Sequence, residues 1–161
     1  MKSDPSRKIV PAHNDYGAIN RRRHTVLLPY PHGKLVFTNG CFGMVHPGHA
    51  VFLNRASEFG DTLLVAINSD DSYERVKGIR PLIPWTDRAI LVASLESVDF
   101  VVCMYEATPD LLLKKLQPDV LVKSRSSVMP PVGHEIVAAY GGEVITLDCY
   151  GNYSTTNLLN R

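Results

Sequence analysis

The chain has 161 residues, 45% of them hydrophobic, with a formal net charge of +1. That length suits one domain with a core of its own, and the charge balance gives no field that would draw the protein to nucleic acid or a membrane surface. No apolar run approaches the ~20 residues that span a bilayer, and the N-terminal MKSDPSRKIVPAHNDYG lacks the apolar stretch of a signal peptide.

Three cysteines, Cys41, Cys103 and Cys149, form an odd count with no CxxC pair. They point to reduced thiols in the cytoplasm rather than to a disulfide frame or a zinc site. Residues 1–33 are polar, with prolines at Pro5, Pro11, Pro29 and Pro31. They read as an N-terminal arm with little regular structure ahead of a domain over 34–161. Within the arm, Arg21-Arg22-Arg23-His24 is a solvated basic stretch, with an anion or partner contact as the alternative.

From there apolar runs alternate with helical patterns. Leu35-Val36-Phe37-Thr38 reads as a buried strand ended by Asn39-Gly40. Val51, Phe52, Ala56 and Phe59 give a helical spacing over His49 to Phe59, and Gly60 stops it. Leu63 to Ile67 is a second strand, followed by Asn68-Ser69-Asp70. A polar stretch from Asp71 to Pro84 precedes a helix over Thr86–Glu96, with Thr86 as its cap and Ile90, Leu91 and Leu95 as its inner face. Asp99 to Cys103 is a third strand. Thr108-Pro109-Asp110 opens a helix with proline at its first position, and Pro118 breaks it. Asp119 to Val122 is a fourth strand, a helix around His134–Tyr140 stops at Gly141-Gly142, and Val144 to Leu147 is a fifth. A short helix follows Ser154-Thr155-Thr156.

Strands rich in Val, Leu and Ile that alternate with helices of about 10 residues specify a parallel sheet covered on both faces. Right-handed crossovers make it a Rossmann-like, doubly wound α/β fold of about five strands in a single domain. Ligands of such sheets sit beyond the carboxyl ends of the strands. That rule gathers Thr38–His49, Asn68–Asp70, Lys123–Ser127 and the segment after Leu147 on one edge.

The chemistry concentrates in Thr38-Asn39-Gly40-Cys41-Phe42-Gly43-Met44-Val45-His46-Pro47-Gly48-His49, which follows a strand and opens a helix. Gly40 and Gly43 allow backbone to approach a ligand, and free N–H groups at the helix start face an anion. His46 and His49, three apart, lie on one side if the turn there is helical. Two ring donors aimed at a phosphate would neutralise charge that builds during transfer. A metal pair is the alternative, but no third His, Cys or carboxylate stands at an obvious ligand spacing. Neither the P-loop nor the dinucleotide fingerprint is present.

The run F-T-N-G-C-F-x-x-x-H-P-G-H resembles the signature of the HxGH nucleotidyltransferase superfamily, the cytidylyltransferase-like proteins. Gly60 to Asp70, Val76-Lys77-Gly78 with Arg80-Pro81, Arg88, Leu116 to Lys123, Gly141 to Val144 and Ser154 to Leu159 resemble the adenylyltransferase domain that makes ADP-heptose. Glycerol-3-phosphate cytidylyltransferases share the plan more distantly. The resemblance covers roughly residues 34–161.

The resemblance implies that AMP passes from ATP to a sugar 1-phosphate such as D-glycero-beta-D-manno-heptose 1-phosphate, releasing pyrophosphate. Mg²⁺ would accompany the triphosphate, and a homodimer is expected. His46 and His49 would hold the triphosphate and stabilise the transition state. The backbone around Thr38, Asn39, Gly40, Cys41 and Phe42, with Gly48, would line the nucleotide site. Lys77 would reach substrate phosphates, or is a solvated loop lysine. Arg88 would support phosphate or loop geometry, or form a surface ion pair. Ser154, Thr155 and Thr156 would bind the β- and γ-phosphates, or simply cap a helix. Lys123 is a ligand contact or a snorkelling lysine. Cys41 reads as a packing residue rather than a nucleophile.

Two positions depart from the family pattern. Gly43 stands where the family has Asp, and Ser124-Arg125-Ser126-Ser127 stands where it has Gly-Gly-Asp-Tyr. Fewer carboxylates and an added Arg125 make the expected pocket more positive, which suits a more anionic acceptor. A cytidylyltransferase acting on glycerol 3-phosphate or another polyol phosphate, or a relative that binds nucleotide with little turnover, are the competing readings. The chain carries no sugar kinase domain of the kind that accompanies some relatives, so its phosphorylated acceptor is expected from another protein.

Overall fold

A computed structural model of the protein describes residues 4–10, 33–125 and 130–151. The basic stretch Arg21–His24, Ser126, Ser127 and the Ser154-Thr155-Thr156 motif lie outside the described residues. Five strands form one parallel sheet: β1 (Leu35–Gly40), β2 (Thr62–Asn68), β3 (Phe100–Met104), β4 (Val120–Ser124) and β5 (Glu143–Leu147). Their spatial order is β3-β2-β1-β4-β5, every pairing parallel. The helices are α1 (Pro47–Ser57), α2 (Asp70–Lys77), α3 (Trp85–Ala93), α4 (Asp110–Leu116) and α5 (His134–Ala139). The expected doubly wound α/β architecture is therefore the one observed.

The pleat sorts each strand's side chains onto two cores. Leu35, Phe37, Leu64, Ala66, Val102, Met104 and Leu121 pack on one face with Leu112, Leu113 and Leu116 of α4 and Val137 of α5. Val36, Leu63, Val65, Ile67, Val101, Val120 and Val122 pack on the other with Leu53 and Ala56 of α1 and Ala89, Val92 and Ala93 of α3. Continuous apolar strands are thus required, because neither face meets water. Among the described residues no helix is long and apolar enough to cross a membrane.

Three readings of local structure need correction. The polar stretch after β2 contains α2. Ser69 caps it by accepting the Ser72 N–H at 3.1 Å, and Gly78 ends it at φ 74°. Its inward side chains, Ser72 and Tyr73, are too few and too polar to give a hydrophobic period. In α3 the inner face is Arg88, Ala89, Val92 and Ala93, whereas Ile90 and Leu91 are exposed, and Pro84 rather than Thr86 holds the cap position. The third concerns the arm. Residues Pro5–Lys8 make a 3-10 turn, and the Val10 N–H donates to the Val101 carbonyl at 2.9 Å, with an Ile9–Val101 bridge beside the edge strand β3. Lys8 Nζ fastens the turn by donating to the carbonyls of Leu95 and Val98 at 3.1 and 2.6 Å. Val10 is buried in the core, so this part of the arm covers a strand edge that would otherwise display unpaired backbone groups.

The turn into β2 approaches β1 closely. A Cβ on Gly60 would stand 2.6 Å from the Lys34 carbonyl oxygen, which accepts from the N–H groups of Asp61 and Thr62 at 2.8 and 3.2 Å. Backbone cannot yield as a flexible side chain does, so Gly60→Ala is expected to lower stability by about 1–3 kcal/mol, read as a fall in the urea midpoint with the slope unchanged.

Candidate active site

At the carboxyl ends of β1 and β4 lies a cavity of about 360 Å³. Its wall takes Asn39 to Phe42, His46, Gly48, His49 and Phe52 from β1 and α1, Lys77 from α2, Lys123 and Ser124 from β4, and Cys149 and Tyr150 from the segment after β5. Segments far apart in sequence meet there because the strand order reverses between β1 and β4, and diverging crossovers leave a crevice at such a point. Cys149, Tyr150 and Phe52 are not among the expected site residues; the sequence marks Phe52 only as an apolar helix position and Cys149 only as a reduced thiol. They carry no motif, and the sheet-edge rule placed only the segment after Leu147 here.

His46 is the residue before the first turn of α1, in extended conformation, with Pro47 following; its carbonyl accepts from the N–H groups of His49 and Ala50 at 2.9 and 3.3 Å. One helical turn brings the two rings together, with centroids 3.8 Å apart and planes 24° apart. Phe42 also packs against His49, with centroids 4.9 Å apart and planes tilted by 46°. Phe42 reaches this place at φ 48°, a left-handed conformation that costs a non-glycine residue energy and that its own burial offsets. Burial first, then the neighbouring His46, push the His49 imidazole down to about 4. Burial also lowers His46, opposed by a hydrogen bond to its own backbone. Near neutral pH the pair is therefore uncharged, which permits two imidazoles to stack. His49 Nδ1 is buried and has no hydrogen-bond partner among the described residues.

Among the described residues the cavity wall carries two lysines, two histidines and no carboxylate. Lys123 Nζ donates to Asn39 Oδ1 at 2.7 Å, and burial pushes its amine down to about 8. Lys77 is exposed at the last turn of α2. Cys41 Sγ lies 3.5 Å from Asn68 Oδ1, and burial raises its thiol, which keeps it protonated and a poor nucleophile. No group of three His, Cys, Asp or Glu side chains able to hold a metal ion exists among the described residues.

Three expected contributors are placed elsewhere. Thr38 is buried within β1, paired in register with Val65, and does not line the cavity. Arg88 is fully buried and absent from the described cavity wall, a placement that agrees with support of loop geometry and not with a surface ion pair. Its Nε donates to the Ile83 carbonyl at 3.0 Å and its Nη1 to the Cys41 carbonyl. Its Nη2 donates to the Asn68 carbonyl at 2.9 Å and to Asp70 Oδ1 at 2.7 Å. It is a positioning residue for the loop that carries the histidines. Arg125 does not charge the cavity either, because its guanidinium pairs with the Asp148 carboxylate in solvent. Gly43 has a steric reason: a Cβ there would stand 2.5 Å from Tyr73 Oη.

Two outcomes are expected. Arg88→Met strands the Asp70 carboxylate and three carbonyls, and should destabilise the fold by about 3 kcal/mol or more in urea unfolding. For His49, the unfolded chain takes up a proton below 6.5 that the folded state refuses until about 4. Stability therefore falls as pH drops through that window, by up to about 3 kcal/mol. Unfolding midpoints measured from pH 7 down to pH 4 should show that slope flattened in His49→Gln.

A family model described as cytidylyltransferase-like matches residues 37–161. Two relatives, each called bifunctional protein HldE, are 47% identical over 130 residues (Alcanivorax borkumensis) and 49% identical over 133 residues (Hahella chejuensis). The matches take in 80% and 81% of this chain but 27% and 28% of the relatives, so the chain spans about a quarter of their length. Among solved structures, the lipopolysaccharide core biosynthesis protein of Thermoplasma volcanium aligns with a TM-score of 0.63 at 22% identity, over 74% of this chain and 99% of that one. Pantoate-beta-alanine ligase of Francisella tularensis aligns with a TM-score of 0.53 at 14% identity, over 86% of this chain and 72% of that one. Both share the fold. With the family model spanning most of the sequence and the stacked histidine pair at the sheet's carboxyl edge, the chain belongs to the cytidylyltransferase-like family of nucleotidyltransferases.

Proposed function

We propose that residues 34–161 form an adenylyltransferase domain that moves AMP from ATP to a sugar 1-phosphate such as D-glycero-beta-D-manno-heptose 1-phosphate, with release of pyrophosphate. The observation that carries this reading is the His46–His49 stack at the start of α1, on the wall of a cavity that has basic side chains and, among the described residues, no carboxylate. The motif resemblance to the domain that makes ADP-heptose supports the choice of substrates, as do relatives at 47% and 49% identity.

The chemistry asks for positioning and charge stabilisation, with little covalent work from the protein. An oxygen of the acceptor phosphate attacks the α-phosphorus in line as the bond to pyrophosphate breaks. Charge accumulates on the transferring group and on the departing pyrophosphate. His46 and His49 lie beside the first N–H groups of α1 and supply ring donors towards that charge. Lys77 meets the phosphates from the α2 side. Ser154, Thr155 and Thr156 serve the β- and γ-phosphates. Arg88 touches no substrate and keeps the Cys41 carbonyl, and with it the loop, in place.

Mg²⁺ enters this reading as part of the substrate. It would be bound with the triphosphate and would offset its negative charge.

His46→Ala and His49→Ala are each expected to reduce turnover about a hundredfold or more with the circular dichroism spectrum retained. The deciding assay is pyrophosphate release, with each nucleoside triphosphate set against a panel of phosphorylated sugars and polyols. Turnover with ATP and a heptose 1-phosphate is the expected result. Turnover with CTP alone rejects the adenylyl assignment, and nucleotide binding without turnover on any acceptor rejects the enzyme.

A further inference from the structure

We propose that Lys123 recognises a phosphoryl anion of one of the two substrates from the β4 side of the cavity. The inference deepens the proposed reaction and takes its candidate ligands from it.

A lysine that merely snorkels reaches bulk water or a carboxylate with its ammonium. Lys123 lines a cavity and meets no carboxylate among the described residues. It is half-buried at the end of β4, and among the described residues its one hydrogen bond runs to a neutral amide, Asn39 Oδ1 at 2.7 Å. An ammonium has three donors, so two remain for a ligand. Three acids near this edge of the sheet are held by arginines: Asp70 by Arg88, Asp71 by Arg80, Asp148 by Arg125. Among the described residues no carboxylate lines the cavity. A cation placed in a crevice without a counter-charge suits an anionic guest, and the family reaction brings two guests that carry phosphoryl groups.

The sheet order adds direction. β2 and α2 lie on one flank of β1, and β4 lies on the other. Lys77 and Lys123 therefore meet the cavity from elements on opposite flanks of β1, and the wall they share also carries the His46–His49 stack. Two phosphoryl-bearing substrates must meet in this one crevice, and each flank offers a cation.

The same placement gives a signature. With no anion present, burial holds the amine down to about 8. A bound phosphoryl group favours the ammonium, so binding near pH 8 draws in a proton. The other titratable groups on the wall are His46 and His49 from α1, Cys41 from the loop after β1, Lys77 from α2, and Cys149 and Tyr150 after β5. The two imidazoles are lowered and the Cys41 thiol is raised, so these three are neutral near pH 8 before binding.

The test is titration calorimetry of the full chain near pH 8 in two buffers of different ionisation enthalpy. The ligands are ATP with magnesium alone and a heptose 1-phosphate alone. One of them is expected to bind with uptake of roughly half a proton. Lys123→Met should lose that uptake and weaken the same ligand about tenfold or more. Lys123→Arg should keep the affinity and lose the uptake, since its charge is permanent. The ligand affected identifies the phosphoryl source. Binding of neither ligand, no proton uptake in the parent protein, or equal affinity and uptake in Lys123→Met overturns the proposal. Pyrophosphate release separates this from the reaction itself. Turnover by the parent with unaltered binding in Lys123→Met removes the role of the lysine and leaves the reaction standing. Proton-linked binding without turnover does the reverse.

Discussion

A single buried guanidinium holds the working end of this protein together. Arg88 sits on the inner face of α3, wholly out of solvent, and spends four hydrogen bonds on the Ile83 turn, the Cys41 loop, the end of β2 and the start of α2. Tyr73 lies beneath it, with the guanidinium carbon 5.4 Å from the ring centroid. A rigid, permanently charged fork is suited to this, because it can bond several carbonyls from one position where a lysine offers one compact head. The isolated cost of burying the charge is offset by the Asp70 carboxylate and by those carbonyls, which would otherwise be the unsatisfied ends of their elements. The histidine pair depends on it at one remove, since the loop from Cys41 to His46 has little regular structure of its own to fix its path.

The sheet is chemically polar from one edge to the other. At its amino edge the free N–H groups of Lys34, Leu35 and Leu63 are taken by the carboxylates of Asp61, Asp119 and Asp99, at 2.7, 2.6 and 2.8 Å. At its carboxyl edge cations take over: Arg88 on backbone carbonyls, Lys123 and Lys77 on the cavity wall. A parallel sheet exposes donors at the start of its strands and acceptors at their ends, so this division satisfies the backbone first. It also leaves the ligand edge ready for phosphates. Gly43 fits the same pattern, because Tyr73 fills the place where a larger residue, a carboxylate included, would project.

Much of this was legible in the one-dimensional pattern. Five apolar runs of strand length, separated by helical spacings and Gly or Pro stops, determine a parallel sheet with two covered faces. The sheet-edge rule then gathers Thr38–His49, Asn68–Asp70, Lys123–Ser127 and the segment after Leu147; among the described residues the cavity takes lining from the first, third and fourth of these, and not from Thr38 or Asn68–Asp70. The strand–loop–helix setting of His46 and His49 determines their shared side, because three residues at a helix start nearly complete one turn. These features depend on neighbours close in sequence, where spacing alone carries the geometry.

What only the tertiary structure decided concerns long-range partners. Arg88 and Arg125 look alike as exposed arginines, yet one is buried as a brace and the other pairs with Asp148 at the surface. The α2 helix, polar along its length, exists through its Ser69 cap and the packing of Tyr73, and neither leaves a hydrophobic period. Residues 4–10 acquire order by docking on β3, more than 80 residues away in the chain. A charge or a polar segment finds its partner by chain crossing rather than by spacing. Local pattern therefore determined where the ligand edge lies, while packing decided which cations face it.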